Sequence, residues 1–448
     1  MGNYRLSKYN HFLKKRGYVI ALNLHNKNIF SIDRDKYDTI LSYKSNLDEL
    51  QLQDPILFNT MFKLGIIEST DLDIPAIILL RNRQEVFSND SYYLAINTTL
   101  NCNFSCWYCY ESRSAKKMTE QTKESIIKYI TYLITKLKIS SLKIDWFGGE
   151  PLIAFKTVIL PIGTEIKRLC EENNVNLTGG ITTNGYLLNT EIIKFFNENN
   201  ITQFQITLDG NKANHNKIRY QGKKRKKESY NIIVDNICML LKEIPSISFI
   251  LRINFTLESL SGSTDIINSF PEGLRNRITI FLVQIWQDKM NQRCDINTKN
   301  AIQETFRQAG FNVPDTTRHY NINHVCQADT YNQAIINYDG RVFKCATTDF
   351  NTATQDGILT PEGQIVWDEN ALAKRISRAT FDNEICLKCK YLPICAGGCS
   401  MHCANKDNHQ KNCKRKLIHK KIINEAMINF DKTGYKFRHI SDIQRLHQ

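Results

Sequence analysis

The chain reads as an α/β protein, in which an open, partial (β/α)6 TIM-type barrel lies between a small winged-helix-like α+β domain and a cysteine-rich C-terminal domain. Three observations predict this. Six apolar, strand-like runs alternate with amphipathic helical stretches between residues 91 and 286, the pattern of a parallel sheet covered by helices. Residues 1–70 group short strands with short helices, and 14 cysteines crowd into spaced sets, most of them beyond residue 321. At about 100–200 residues per domain, a length of 448 with 42% hydrophobic residues supports several cores. The expected boundaries are 1–70, a linker at 71–90, the barrel at 91–286, a bridge at 287–320 and the cysteine-rich domain at 321–448.

Taken in order, Gly17–Leu24 and Asn28–Ile32 are strands joined through the turn-prone His25, Asn26 and Lys27. Asp33 opens one helix as a cap, and Asp54 with Pro55 opens another. The apolar Leu64–Glu68 closes this module, whose strand edge or helix groove could take a peptide by strand addition. The linker is expected to be partly helical through Ala76–Leu80. Barrel strands are expected at Tyr92–Thr98, Leu142–Phe147, Leu177–Thr182, Gln203–Leu208, Ser248–Phe255 and Ile278–Ile285, with helices near 119–137, 153–173, 190–199 and 229–243. A further helix is expected near 297–309. Asp339-Gly340 marks a hairpin within Ala334–Phe343.

The net charge of +14 thickens at Lys223–Lys227 and Lys411–Lys421, where Lys414 and Lys416 flank Arg415 beside Cys413. Basic runs attract anions, and nucleic acid, an acidic peptide or plain solvent would each suit them. No apolar run reaches the roughly 18 residues of a membrane helix. Met1–Leu6 carries neither a signal nor a transit peptide, and Leu6 breaks the myristoylation pattern. The expectation is a cytoplasmic protein with no membrane and no nucleic-acid partner. In a reducing cytosol, clustered cysteines serve metals rather than disulfides. Cys170, Cys238, Cys294 and Cys403 fall outside the spaced groups, and core packing is the ordinary use of such thiols.

The chemistry concentrates at Cys102, Cys106 and Cys109, a C-x3-C-x2-C loop just after the first barrel strand. That is where (β/α) barrels place their active sites. An iron–sulfur cube normally takes four cysteines, so three leave one iron open; a zinc site short of a ligand is the other reading of the same thiols. Gly148-Gly-Glu-Pro151 follows the second strand, Thr183-Asn-Gly185 the third and Thr207-Leu-Asp-Gly210 the fourth, with His215–Arg219 beyond it. Arg252 and Asn254, two apart on the fifth strand, share a face.

These motifs together resemble the radical S-adenosylmethionine (SAM) superfamily. In that family the three-cysteine loop, with an aromatic before the third cysteine (here Tyr108), holds a 4Fe-4S cluster whose open iron is chelated by SAM, and the bound SAM yields a 5′-deoxyadenosyl radical. The resemblance implies SAM contacts from Gly148, Gly149, Glu150, Pro151, Asn184, Thr207, Asp209, Arg219, Arg252 and Asn254. Glu150 would meet the amine and Arg219 the carboxylate, which a guanidinium can grip in bidentate fashion. His215 and Asn216 stand where the family has H-D-x-x-R, with Asn in place of Asp.

Cys326, Gly340, Cys345, then Cys386, Cys389, Cys395, Cys399 and Cys413 are similar in spacing to the SPASM subgroup. That likeness implies two auxiliary 4Fe-4S clusters, one on Cys386, Cys389, Cys395 and Cys413, the other on Cys326, Cys345 and Cys399. The second set lacks a fourth ligand, which Cys403, Cys294, water or a substrate thiolate could supply. Sulfatase-maturing members carry an acidic residue where this chain has Ala346; Asp349 lies nearby, and Asp349 and Cys403 are the candidate catalytic residues. Residues 1–70, including Ser7–Asn10, resemble the leader-recognition domain of enzymes that mature ribosomally made peptides. The expected function is therefore a peptide maturase that forms a thioether or other crosslink on a precursor peptide, with flavodoxin or ferredoxin as electron donor. Formylglycine-generating protein oxidation and an iron–sulfur nucleic-acid sensor are the alternatives.

Overall fold

The computed structural model describes residues 2–220, 228–288, 294–314, 325–376 and 383–399, together with Cys413, Arg415, Ile418, His419 and Ile422. The chain divides into two compact units: 1–87 with 315–330 and 373–448, and 88–314 with 331–372.

The first unit begins with β1 (Tyr4–Leu6), β2 (Asn10–Lys14), β3 (Tyr18–Asn23) and β4 (Ile29–Asp33). It continues through α1 (Arg34–Ser42), α2 (Leu47–Gln53), α3 (Pro55–Lys63), β5 (Ile67–Ser69) and α4 (Ile74–Val86). Strands β2, β3 and β4 form an antiparallel meander, while β1 pairs with β5. The expected turn between β3 and β4 is built by Asn23, whose Oδ1 accepts from the amides of His25 and Asn26. Asp54 caps α3 by accepting from Leu57 N at 2.9 Å, with Pro55 at the first helical position where no amide is needed. Helices α1, α2 and α3 bury Tyr37, Ile40, Leu50, Phe58 and Met61 against Val19, Ala21, Phe30 and Ile32 of the sheet. The linker is more helical than its short apolar run implies. Asp73 caps it at Ala76 N, and α4 runs for 13 residues as part of this unit.

The second unit is built on β6 (Ser91–Thr99), β7 (Ser141–Gly148), β8 (Asn176–Thr183), β9 (Ile201–Leu208), β10 (Ser248–Phe255) and β11 (Ile278–Gln284). Between and after them lie α5 (Glu120–Thr135), α6 (Leu160–Glu172), α7 (Thr190–Glu198), α8 (Lys212–Ile218), α9 (Tyr230–Glu243), α10 (Glu272–Arg275) and α11 (Ile296–Gln308). All six strands run parallel in chain order, so every expected barrel strand forms and pairs with its sequence neighbours. Ile96, Ile144, Trp146, Ile206 and Leu251 of these strands are fully buried. Burial of each such side chain contributes about 1.5–3 kcal/mol.

Beyond the barrel, β12 (Gln333–Ile336) and β13 (Arg341–Phe343) form the expected hairpin, followed by β14 (Gly357–Leu359) and β15 (Ile365–Trp367). Strand β12 lies parallel to β6, so the hairpin together with β14 and β15 extends the barrel sheet to ten strands among the described residues. The stretch expected as one domain at 321–448 divides accordingly. Residues 331–372 pack in the second unit, and 373–448 belong to the first. There, after α12 (Glu369–Ile376), come the short α13 (Glu384–Leu387) and α14 (Leu392–Cys395). They pack Cys386, Tyr391 and Leu392 with Ile418 and Ile422 against Tyr9, Leu22, Leu24, Ile74 and Ile78 of the N-terminal module. Among the described residues no helix is long and apolar enough to cross a membrane. The basic run at Lys223–Lys227, and Lys414 and Lys416, lie outside the described residues.

Candidate active site

The C-terminal ends of the parallel strands converge on a cavity of about 230 Å3. Its wall includes Cys102, Cys106, Cys109, Gly148, Gly149 and Asn184, and also Thr207, Arg219, Arg252 and Asn254. Backbone register explains how the first motifs meet. Strand β6 shifts register against β7 between Asn97 and Thr99, and the chain then turns into the cysteine loop. Gly149 N donates to Thr99 O and Glu150 N to Asn101 O, each at 2.9 Å, which lashes the glycine turn to the root of that loop. Only glycine fits: a Cβ on Gly148, at φ +117°, would sit 2.2 Å from Thr99 O, and one on Gly149 would sit 2.5 Å from Asn101 O.

Glu150 sits behind this wall rather than in it. The side chain is fully buried; Oε1 accepts from Leu152 N (3.0 Å) and the Thr183 hydroxyl (2.7 Å), and Oε2 from Asn184 N (2.7 Å). Burial raises its pKa while these three donors oppose the rise. Its carboxylate thus ties the end of β7 to the end of β8, and Asn184 in turn donates to Asn103 Oδ1 inside the cysteine loop. Pro151 and Asp209 also lie outside the lining.

Tyr108 is the hub that the sequence alone does not reveal. Its hydroxyl donates to Asp209 (2.7 Å) and accepts from Arg219 Nη2 (2.7 Å) and Asn254 Nδ2 (3.0 Å). Arg219 Nε donates to Asp209 Oδ2 at 2.7 Å, with the carboxylate wholly buried. Burial works against the Arg219 charge, but Asp209, Tyr108 and Cys106 outweigh it and hold its pKa well above the ordinary value. Asp209 therefore aims a permanent cation at the cavity. Arg252 Nε donates to Asn254 Oδ1 at 2.9 Å, as their shared strand face implies. His215 is buried, its pKa pushed well below the ordinary value by burial and by Arg219. It accepts from Asp209 N at 3.2 Å and meets Ser229 Oγ at 3.1 Å, so it braces the loop from behind.

The three thiols line the same cavity, where burial pushes Cys102 up to about 12 and raises Cys106 and Cys109 as well. Such thiols become ligands only when a metal displaces their protons. Arg113, outside the expected set, binds Ser105 Oγ and Phe104 O and adds positive charge beside all three. Asn103 Nδ2 is buried with no partner among the described residues. A sulfur-rich anionic cluster would supply the acceptor, so these residues fit a 4Fe-4S group. No set of three or more Cys, His, Asp or Glu among the described residues is arranged around a single ion.

Of the two candidate catalytic residues, only Asp349 lies among the described residues. Asp349 is spent on structure: Ser112 N and Oγ, Asn351 N and Thr352 Oγ1 all donate to it, and although burial opposes the charge, these donors hold its pKa below the usual value. Cys403 lies outside the described residues. The carboxyl that does line the cavity is Glu111, raised to about 7 by burial and then by the Asp349 charge. Nothing in the spacing of the sequence singled it out. Ala346 meets Tyr110, whose hydroxyl donates to its carbonyl at 2.9 Å. Cys345 belongs to the second unit, and Cys326, Cys386, Cys389, Cys395, Cys399 and Cys413 to the first.

Residues 96–260 match the model of the radical SAM superfamily. That match covers most of the parallel barrel, from β6 to β10. SAM and a 4Fe-4S cluster are the cofactors that this likeness implies. Over 148 residues the chain is 31% identical to the cysteine-type anaerobic sulfatase-maturating enzyme of Clostridium novyi, covering 31% of this chain and 37% of that protein. Over 149 residues it is 29% identical to the serine-type enzyme of Bacteroides thetaiotaomicron, covering 32% and 34%. Either match thus spans about a third of the relative's length. In fold, the chain is similar to native anSMEcpe with bound AdoMet, with a TM-score of 0.54 at 17% identity over 75% of this chain and 99% of that one. The same protein with AdoMet and the Cp18Cys peptide gives 0.53 over the same shares.

Proposed function

We propose that the protein modifies a ribosomally made precursor peptide, joining a carbon to a side-chain partner, as in a thioether, with loss of a hydrogen atom, a proton and one electron. The observation that carries this reading over sulfatase-type oxidation is the position after Cys345. Ala346 stands there, and the nearby Asp349 has its carboxylate filled by four donors. The N-terminal module supports it too, since β2 and β4 are the edge strands of a small antiparallel sheet to which a leader peptide can add. Tethering the leader there raises the local concentration of the peptide core.

When bound, the cluster and SAM supply the radical that takes the hydrogen atom. The chain's own residues do the rest. Cys102, Cys106 and Cys109 would hold three irons and leave the fourth for SAM. Arg219, held by Asp209 and Tyr108, presents its charge to the SAM carboxylate, while Thr207, Arg252 and Asn254 line the same side of the cavity. Gly148 and Gly149 let the backbone approach the ligand amine, and Asn184 is set by Glu150. Glu111 takes the proton from the substrate side. Cys386, Cys389, Cys395 and Cys413 would hold one auxiliary cluster and, as the spacing implies, Cys326, Cys345 and Cys399 the other; such a cluster would supply an acceptor for the leaving electron, with flavodoxin or ferredoxin as the external electron donor. The fit of the first set is chemical: Cys386, Cys389 and Cys395 share one apolar cluster, and Tyr391 N already points at Cys389 Sγ, 3.5 Å away.

Mass spectrometry of precursor peptide after incubation with reduced enzyme and SAM tests the reading. Crosslinking removes two hydrogens from the leader-bearing peptide and fails on the same core without its leader. A second reading, oxidation of cysteine or serine to formylglycine, is favoured by the identity to the two sulfatase-maturating enzymes. It requires an aldehyde product on a leader-free peptide.

A further inference from the structure

The N-terminal module and the cysteine loop of α13 and α14 belong to one compact unit, and they share an apolar cluster in which Tyr9 packs with Cys386 and Tyr391. Among the described residues, two buried polar atoms at this junction have no hydrogen-bond partner. Tyr9 is 0% exposed with its hydroxyl unsatisfied, and His11 is 6% exposed with Nε2 unsatisfied. Leaving a buried donor unpaired is costly, so a group beside them is expected to serve as acceptor. The His11 ring lies 5.2 Å from that of Tyr391 and 6.0 Å from that of His419, and Tyr391 also bonds His419 through its hydroxyl. Tyr391 is two residues past Cys389 and donates its amide to Cys389 Sγ. Lys8 pins the same loop by donating to Leu387 O at 2.8 Å.

We propose that Tyr9 and His11 are outer-shell donors to the iron–sulfur cluster that Cys386, Cys389, Cys395 and Cys413 would hold, so that the peptide-docking module helps set that cluster's reduction potential. The inference rests on the reading above that these cysteines ligate an auxiliary cluster. Hydrogen bonds to a cluster's sulfurs stabilise the reduced, more negative state and raise the potential. Outer-shell partners of metal ligands tune the metal in this way generally. Tyr9 immediately precedes β2 and His11 lies within it, and β2 is an edge strand of the sheet proposed to take the leader, so the docking strand is packed against the residues around Cys386.

The test uses full-length, reconstituted protein carrying Cys102→Ala, Cys106→Ala and Cys109→Ala, so that only auxiliary clusters remain, in a redox titration followed by electron paramagnetic resonance. Tyr9→Phe and His11→Phe should each lower the midpoint potential of one auxiliary signal while the other signal, an internal reference, stays put and iron and sulfide contents are unchanged. His11→Gln, which keeps an N–H near the Nε2 position, should restore much of the shift. Unchanged potentials in Tyr9→Phe and His11→Phe at full iron content would overturn the inference and leave the auxiliary cluster standing. If Cys389→Ala in the same background removes no iron, the cluster assignment itself fails and the inference fails with it.

Discussion

At the scale of single residues, the site depends on one hydroxyl. Tyr108 joins Asp209, Arg219 and Asn254, drawn from the cysteine loop, the end of β9, the end of α8 and β10. Tyr108→Phe leaves Arg219 and Asp209 each one partner short in a buried setting, which costs about 1–3 kcal/mol. The expected outcome is SAM binding weakened about tenfold, equivalent to about 1.4 kcal/mol, read by calorimetry on protein with full iron content. Glu111 and Asp349 make a contrasting pair. Glu111→Gln should abolish peptide crosslinking while SAM affinity holds, because only Glu111 lines the cavity; Asp349→Asn should retain crosslinking and lower thermal stability, because its four donors lose a charged acceptor. Equal loss of turnover in both variants, at equal folding, would deny Glu111 its role as proton acceptor.

At the scale of elements, the strand ends act as a set because backbone contacts leave no room for side chains. Gly149→Ala places a Cβ 2.5 Å from Asn101 O and 2.8 Å from Leu100 O, both backbone atoms at the root of the cysteine loop. Overpacking of this kind costs about 1–3 kcal/mol. Gly149→Ala is expected to lower iron retention after reconstitution, measured by iron analysis, with the far-ultraviolet circular dichroism of the barrel intact. Much of this scale is legible in the sequence. The strand of residues 248–255 alternates apolar and polar residues from Leu251 to Phe255, and the strands near 142, 177 and 203 follow helices at regular spacing, so periodicity locates them. Strand β12 is different. Its local pattern marks a hairpin, but its parallel pairing with β6 joins residues more than 230 positions apart, and no local propensity encodes that contact. Tyr108 and Glu111 escape for a related reason, since a loop side chain's partners are decided by which strand ends meet. Asp349 was legible as a carboxylate near Cys345, but not as one already saturated.

At the scale of the whole molecule, the chain combines a barrel that matches the radical SAM model with cysteines set in both compact units. Among the described residues no disulfide joins them, which leaves the thiols available to metal. Three 4Fe-4S clusters require about twelve irons per chain, and replacement of Cys102, Cys106 and Cys109 together should remove about four of them. A count that starts near four would limit the protein to its barrel cluster. The most direct test of peptide radical chemistry at the cavity is the fate of deuterium placed on the side chains of the precursor's core. Incubated with reduced enzyme and SAM, the leader-bearing peptide should lose two hydrogens while deuterium appears in 5′-deoxyadenosine. Unlabelled 5′-deoxyadenosine beside a peptide of unchanged mass would contradict it.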